Sequence, residues 1–126
     1  MDVTPLIPEG RQIIQGYGLK GFKVSGVSFE TAIVVSPTET RNWNAPEAFT
    51  DLKESDFSML EAKAADIDVL LLGTGARGEF FPPALRAALK QKGLVVETMD
   101  TGAACRTYNV LMAEGRRVIA ALMPVR

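Results

Sequence analysis

The sequence predicts an α/β fold: a mixed β-sheet with antiparallel strands in its N-terminal half and an α-β-α-β-α-β run in its C-terminal half, the helices packed on the sheet. Three observations carry this expectation. The chain has 126 residues and is 47% hydrophobic, which suits one domain over residues 1–126 with a core of its own. Composition shifts near residue 50, from glycine-punctuated runs of β-branched residues to segments of helical period. The later half also alternates apolar runs with amphipathic segments, the pattern of parallel strands joined by right-handed helical crossovers.

The elements follow in order. In "FKVSGVSFETAIVVSP", Phe22 and Val24 share one face of a strand. Val27 and Phe29 resume beyond Gly26, and "TAIVV" reads as a more fully buried strand that Pro37 ends. "ETRNWN" is short and reads as a paired or edge strand carrying Trp43. "ESDFSMLEAKAAD" reads as a helix: Ser55 and Asp56 suit its start, and Phe57, Leu60 and Ala64 fall on one face. "IDVLLLG" suits a strand buried on both faces. "PPALRAALKQKG" is a helix opened by proline, with Leu85, Ala88 and Leu89 as its buried stripe and Gly93 just past its end. "LVVETM" is a strand. "DTGAACRTYNVLMAEG" is a helix capped by Asp100 or Thr101 and ended by Gly115. "RRVIAALMP" is the last strand, stopped by Pro124.

Charge and composition exclude several functions. Lys and Arg number 14 against 15 Asp and Glu. The cations are scattered, so the chain carries no phosphate-tracking stripe, and no nucleic acid is expected as a partner. The longest apolar run, "VIAALM", is far short of the about 20 residues that cross a bilayer, so no direct membrane insertion is expected. The first residues lack the basic and apolar regions of a secretory signal, and a single cysteine fits a reducing compartment; a cytoplasmic location is the expectation. There is no histidine, which removes Ser-His-Asp and Cys-His chemistry and the zinc sites built on imidazole.

"GTGARG", Gly73 to Gly78, matches G-x-G-x-x-G after a strand, with Glu97 and Asp100 about 20 residues on. The dinucleotide reading is disfavoured physically. "EFFPP" separates the last glycine from the helix, so that helix's N-terminal N–H groups stand about a turn away from the glycines. No cofactor is expected. Gly73 and Gly75 then serve as a tight exit from the strand, with Thr74 in the turn. Because ligands often bind outside the carboxyl ends of parallel strands, Gly73, Thr74 and Gly75 are expected to approach Asp100, Thr101 and Gly102. Cys105, Arg106 and Asn109 extend this candidate cleft or interaction surface along the helix.

Cys105 admits two readings. A helix start and the adjacent Arg106 favour thiolate. The absence of histidine and of a second cysteine favours a small buried hydrophobe, and packing is the expectation. Ala104, Tyr108, Leu111 and Met112 form the stripe it flanks, and Tyr108 is expected in the core with its hydroxyl tied to a polar partner.

"LLLGTGARGEFFPPALRAAL" followed by "GLVVETMDTGAACRTYNVLMAEGRRVIAAL" resembles the Mth-type domain family, small proteins of largely unknown function. "IIQGYG", "FKVSG" and the Trp43 segment fit it too. Its relatives include a mitochondrial complex I assembly factor and an adipogenesis-associated protein. The resemblance implies a compact α/β domain and no established reaction or catalytic residue. The positions that carry it are Gly73, Thr74, Gly75, Asp100, Thr101, Gly102, Cys105, Arg106, Tyr108 and Asn109. It implies a non-catalytic module that works through protein contacts, as an accessory factor with respiratory-complex subunits as partners. The alternative is a small-molecule-binding protein or enzyme that uses the cleft between the Gly73–Gly75 loop and the Asp100–Arg106 helix start.

Overall fold

A computed structural model of the chain describes residues 10–126. Five short strands come first: β1 (Ile14–Gly18), β2 (Gly21–Val24), β3 (Val27–Phe29), β4 (Ile33–Val35) and β5 (Thr40–Asn42). One helical turn, α1 (Ser58–Glu61), precedes β6 (Val69–Gly73), α2 (Pro83–Gln91), β7 (Val96–Met99), α3 (Thr101–Ala113) and β8 (Val118–Leu122). The expected α/β order is therefore present.

The strands form two sheets. A five-stranded mixed sheet has the order β5-β4-β8-β6-β7. β8, β6 and β7 run parallel, while β4 is antiparallel to both β5 and β8. β1, β2 and β3 form a separate antiparallel sheet. The N-terminal strands thus divide between two sheets, a partition that strand patterns alone do not encode. Ser25 (φ 43°) and Gly26 (φ 87°) make the two-residue turn between β2 and β3, and positive φ at both positions matches the right-handed twist of the strands.

The main sheet is the middle layer, and alternation along its strands sorts the core onto its two faces. Leu70, Leu72, Ile119 and Ala121 face one side, with Trp43, Phe57, Leu60 and Leu89 of α2. Leu71, Val118, Ala120 and Leu122 face the other, with Phe22 and Val24 of β2 and Ala104, Tyr108 and Met112 of α3. β6 is covered on both faces, as its continuous apolar run predicts. Each fully buried Leu there contributes about 1.5–3 kcal/mol relative to exposure. The small sheet and α3 share one side, and α2 lies on the other. The crossovers β6–α2–β7 and β7–α3–β8 run in opposite directions along the sheet, so their right-handedness places the two helices on opposite faces.

One element differs from expectation. Residues 54–66 are not one helix but a 3-10 turn (Glu54–Phe57), α1, and a second 3-10 turn (Ala64–Asp66). The Trp43 indole N–H donates to the Asp56 carbonyl at 2.8 Å and the Ser58 hydroxyl to the Ser55 carbonyl at 2.7 Å. The indole takes up the Asp56 carbonyl, and the Ser55 carbonyl accepts the Ser58 N–H in a 3-10 bond beside the hydroxyl. Phe57, tilted at 57° against Trp43 with ring centroids 5.6 Å apart, and Leu60 are buried as their spacing requires.

Candidate functional site

Two sequence signals position the α3 start. Asp100 is its N-cap, its Oδ1 accepting from the Ala103 N–H at 2.9 Å, a bond worth about 1 kcal/mol to a helix end. β7 pairs with β6 in parallel so that Gly73 stands opposite Met99. The residues that follow each strand must therefore meet, and they do. The Thr74 N–H donates to the Met99 carbonyl and the Thr101 N–H to the Gly75 carbonyl, both at 2.9 Å.

The side chain of Thr101 closes this joint. Its hydroxyl donates to the Met123 carbonyl at 2.6 Å and accepts from the Gly75 N–H at 2.9 Å. The Met123 N–H in turn donates to the Gly73 carbonyl at 3.0 Å. Thr101 is fully buried and Thr74 is 5% exposed. Gly73 is required by packing: a Cβ there would lie 2.9 Å from both Leu122 Cδ2 and Thr101 Oγ1. Gly75 holds φ at +108°, a backbone conformation that suits glycine. The carboxyl ends of β6 and β8, where open sheets of this kind admit ligands, are thus filled by the chain's own threonine.

The first turn of α3 is covered as well. A Cβ at Gly102 would collide with the Tyr17 hydroxyl and come 2.9 Å from its Cζ. The N–H groups of Thr101, Ala103 and Ala104 are bonded to Gly75, to the Asp100 side chain and to the Asp100 carbonyl. The two predicted segments are brought together, but as a packed joint. An open depression of about 360 Å³ adjoins the joint, lined by Thr74, Gly75 and Met123 of the joint itself and by Phe49, Arg77 and Arg126.

Farther along α3 the predicted residues separate. Cys105 is buried, 3% exposed. Burial pushes its thiol up to about 12, outweighing the opposite pull of Arg106, so it is a protonated core side chain at neutral pH. Arg106 is exposed and donates to the Tyr17 hydroxyl at 3.3 Å. The Tyr108 hydroxyl donates to the Gln12 carbonyl at 2.8 Å, the polar partner expected for a core tyrosine. Asn109 bonds both backbone groups of Ile14.

The residues that sequence reasoning missed lie on the β1–β2 hairpin. Tyr17 and Leu19 are 43% and 73% exposed. Arg106 binds the first through its hydroxyl, and Arg126 reaches the carbonyl of the second at 3.4 Å. The apolar pair is therefore bordered by two cations from the C-terminal part of the chain. Among the described residues no group of three His, Cys, Asp or Glu side chains converges on a metal position, and no helix is long and apolar enough to cross a membrane.

Fold and joint together describe a small α/β domain with a mixed sheet, its strand-end crevice closed by a helix-start threonine. The chain belongs to the family described as proteins of unknown function DUF498/DUF598, whose model matches residues 14–123. It is 35% identical over 111 residues to NADH dehydrogenase (ubiquinone) 1 alpha subcomplex assembly factor 3 of Bos taurus, covering 88% of this chain and 60% of that protein. The chain thus spans about three-fifths of the length of that relative. It is 37% identical over 112 residues to an uncharacterised protein of Rhodobacter capsulatus, covering 89% of this chain and 84% of that one. Among solved structures, a Mth938-like domain from Bordetella pertussis superposes with a TM-score of 0.82 at 31% identity, covering 99% of this chain and 93% of that one. The resemblance to the Mth-type family is borne out, as is the α/β fold class.

Proposed function

We propose that this chain is a non-catalytic interaction module that serves as an accessory factor in assembling a respiratory complex. The observation that carries the reading is the 35% identity, over 88% of this chain, to a protein named as a complex I assembly factor. Two structural features support it. The space between the Gly73–Gly75 turn and the α3 start is filled by the Thr101 side chain. The exposed Tyr17 and Leu19, flanked by Arg106 and Arg126, have the aromatic and arginine character of interface anchors.

The test is affinity capture of the tagged chain, with the co-purified proteins identified by mass spectrometry. Subunits of an NADH dehydrogenase are expected to be enriched. Arg106→Glu and Leu19→Asp should reduce that enrichment without lowering the melting temperature, because both side chains are exposed. Thr74 is too buried to serve as such a probe. Absence of those subunits above a tagged control protein would refute the assignment.

A further inference from the structure

We propose that a cavity at the opposite end of the main sheet from Thr101 binds a small organic dianion, of the phosphomonoester type, through Arg11 and Arg116. The cavity has a volume of about 410 Å³ and lies between the β4–β5 turn, the 3-10 turn before β6 and the turn from α3 into β8. That volume is in the range of small-molecule sites, about 300–1,000 Å³.

Its charge is the first argument. Arg11, Lys63, Arg116 and Arg117 line it against the single carboxylate of Asp66. Two of the four cations are already committed. Lys63 Nζ is 2.6 Å from a Glu39 oxygen, and Arg117 is 2.7 Å from Asp68. Each partnership holds its carboxyl below the ordinary value. Arg11 and Arg116 have no carboxylate within 4.0 Å among the described residues. Cations still outnumber carboxylates when Glu39 and Asp68 are counted with the lining. In a chain whose net charge is −1, this is a local positive excess among the described residues.

The second argument is shape and polarity. Pro37 and Ile67, both half-buried, also line the cavity and give it an apolar part. A ligand that is anionic at one end and apolar at the other matches both parts. Two guanidinium groups with no carboxylate partner among the described residues match a head carrying two charges, and a guanidinium fork matches phosphate oxygens in bidentate geometry. The site is independent of the hairpin surface invoked for partner binding, so either can fail without the other.

The test uses phenyl phosphate, inorganic phosphate and benzoate as probes, titrated into the folded chain and followed by amide chemical shifts. Phenyl phosphate should shift the amides of Ser36 and Thr38 and those in residues 63–67 and 115–119. It should bind at least several-fold more tightly than benzoate, which has one charge, and than inorganic phosphate, which has no apolar part. Arg11→Ala with Arg116→Ala should weaken it by about tenfold or more, since both charge-assisted bonds to the anion are lost. Asp66→Asn should tighten it, an effect that loss of folding cannot imitate. Absence of shifts in those segments, or an unchanged response in the double variant, would overturn the proposal. Equal binding of inorganic and phenyl phosphate would overturn the organic-ligand assignment.

Discussion

Asn109 on α3 holds Ile14 on β1 by both of its backbone groups: Oδ1 accepts from the Ile14 N–H at 3.0 Å and Nδ2 donates to the Ile14 carbonyl at 2.8 Å. A single side chain thus imitates a neighbouring strand. It fastens the small sheet to the helix at a point where β1 is irregular, its register shifting between Ile14 and Gly16. Asn109→Ala should destabilise the fold by about 2–3 kcal/mol, because both partners lose their bonds in a partly buried place. Urea unfolding measures the loss. Hydrogen exchange at the Ile14 amide should accelerate more than exchange in β6, and equal acceleration at both would mean that the contact is not local.

The Thr101 joint makes a sharper prediction. Thr101→Val keeps the shape but removes a hydroxyl that is both donor to Met123 and acceptor from Gly75. Each orphaned group costs about 1–3 kcal/mol when buried, so a loss of about 2–4 kcal/mol is expected by denaturant titration. Thr101→Ser keeps both bonds and should recover most of it. If Val and Ser variants were equally stable, the hydroxyl would not be what closes the strand ends.

Signals that are local in the chain were legible before the fold. Asp100 caps α3, Pro83 opens α2, and Gly93 (φ +90°) and Gly115 (φ +81°) sit just past the ends of α2 and α3. Each depends on a few neighbouring residues and elementary backbone sterics. The meeting of the Gly73–Gly75 turn with the α3 start was legible too, because parallel strands of similar length must end together. What could not be read is the filling of that meeting point. Thr101 reaches Met123 and Asn109 reaches Ile14 across 22 and 95 residues, and such pairings leave no periodic trace. The break in the segment around Phe57 has the same origin, since it depends on Trp43 reaching the Asp56 carbonyl.

Cys105 gives a test in alkaline solution. Its thiol is raised from an ordinary 9.0 to about 12 in the fold, so the native state holds this proton more tightly than the unfolded chain. The contribution is fully present below pH 9, where both states are protonated. It declines as pH rises from about 9 toward 12, because only the unfolded thiol ionises there. Burial also raises the Tyr108 hydroxyl, which acts in the same direction at higher pH. The melting temperature should therefore fall steeply above pH 9, and less steeply in Cys105→Ala. At neutral pH, iodoacetamide should label the native chain far more slowly than the urea-unfolded chain. Fast labelling of native protein would show that the sulfur is accessible and reactive.

The open edge of the main sheet supplies the last prediction. β7 is outermost, and the backbone groups on its free side are a template for pairing with another chain. Arg86 of α2 covers them: its guanidinium donates to the Val96 carbonyl and, at 3.5 Å, to Thr98 Oγ1. The same group stands 5.2 Å from the centroid of the Phe81 ring, a cation–π contact that holds it in place. Arg86→Ala removes the cover and leaves the Val96 carbonyl open at an edge whose neighbour Val95 is already 51% exposed. The direct cost in stability should be about 1.5–3 kcal/mol for a charged donor at a part-buried carbonyl. The larger effect should be association. Sedimentation velocity at matched concentrations should show heavier species in Arg86→Ala than in the parent chain, increasing with concentration. Arg86→Lys keeps the charge but not the fork, and should fall between the two, since an ammonium cannot span Val96 and Thr98 together. If the alanine variant sediments like the parent, the edge is protected by the strand's own twist and brevity rather than by Arg86.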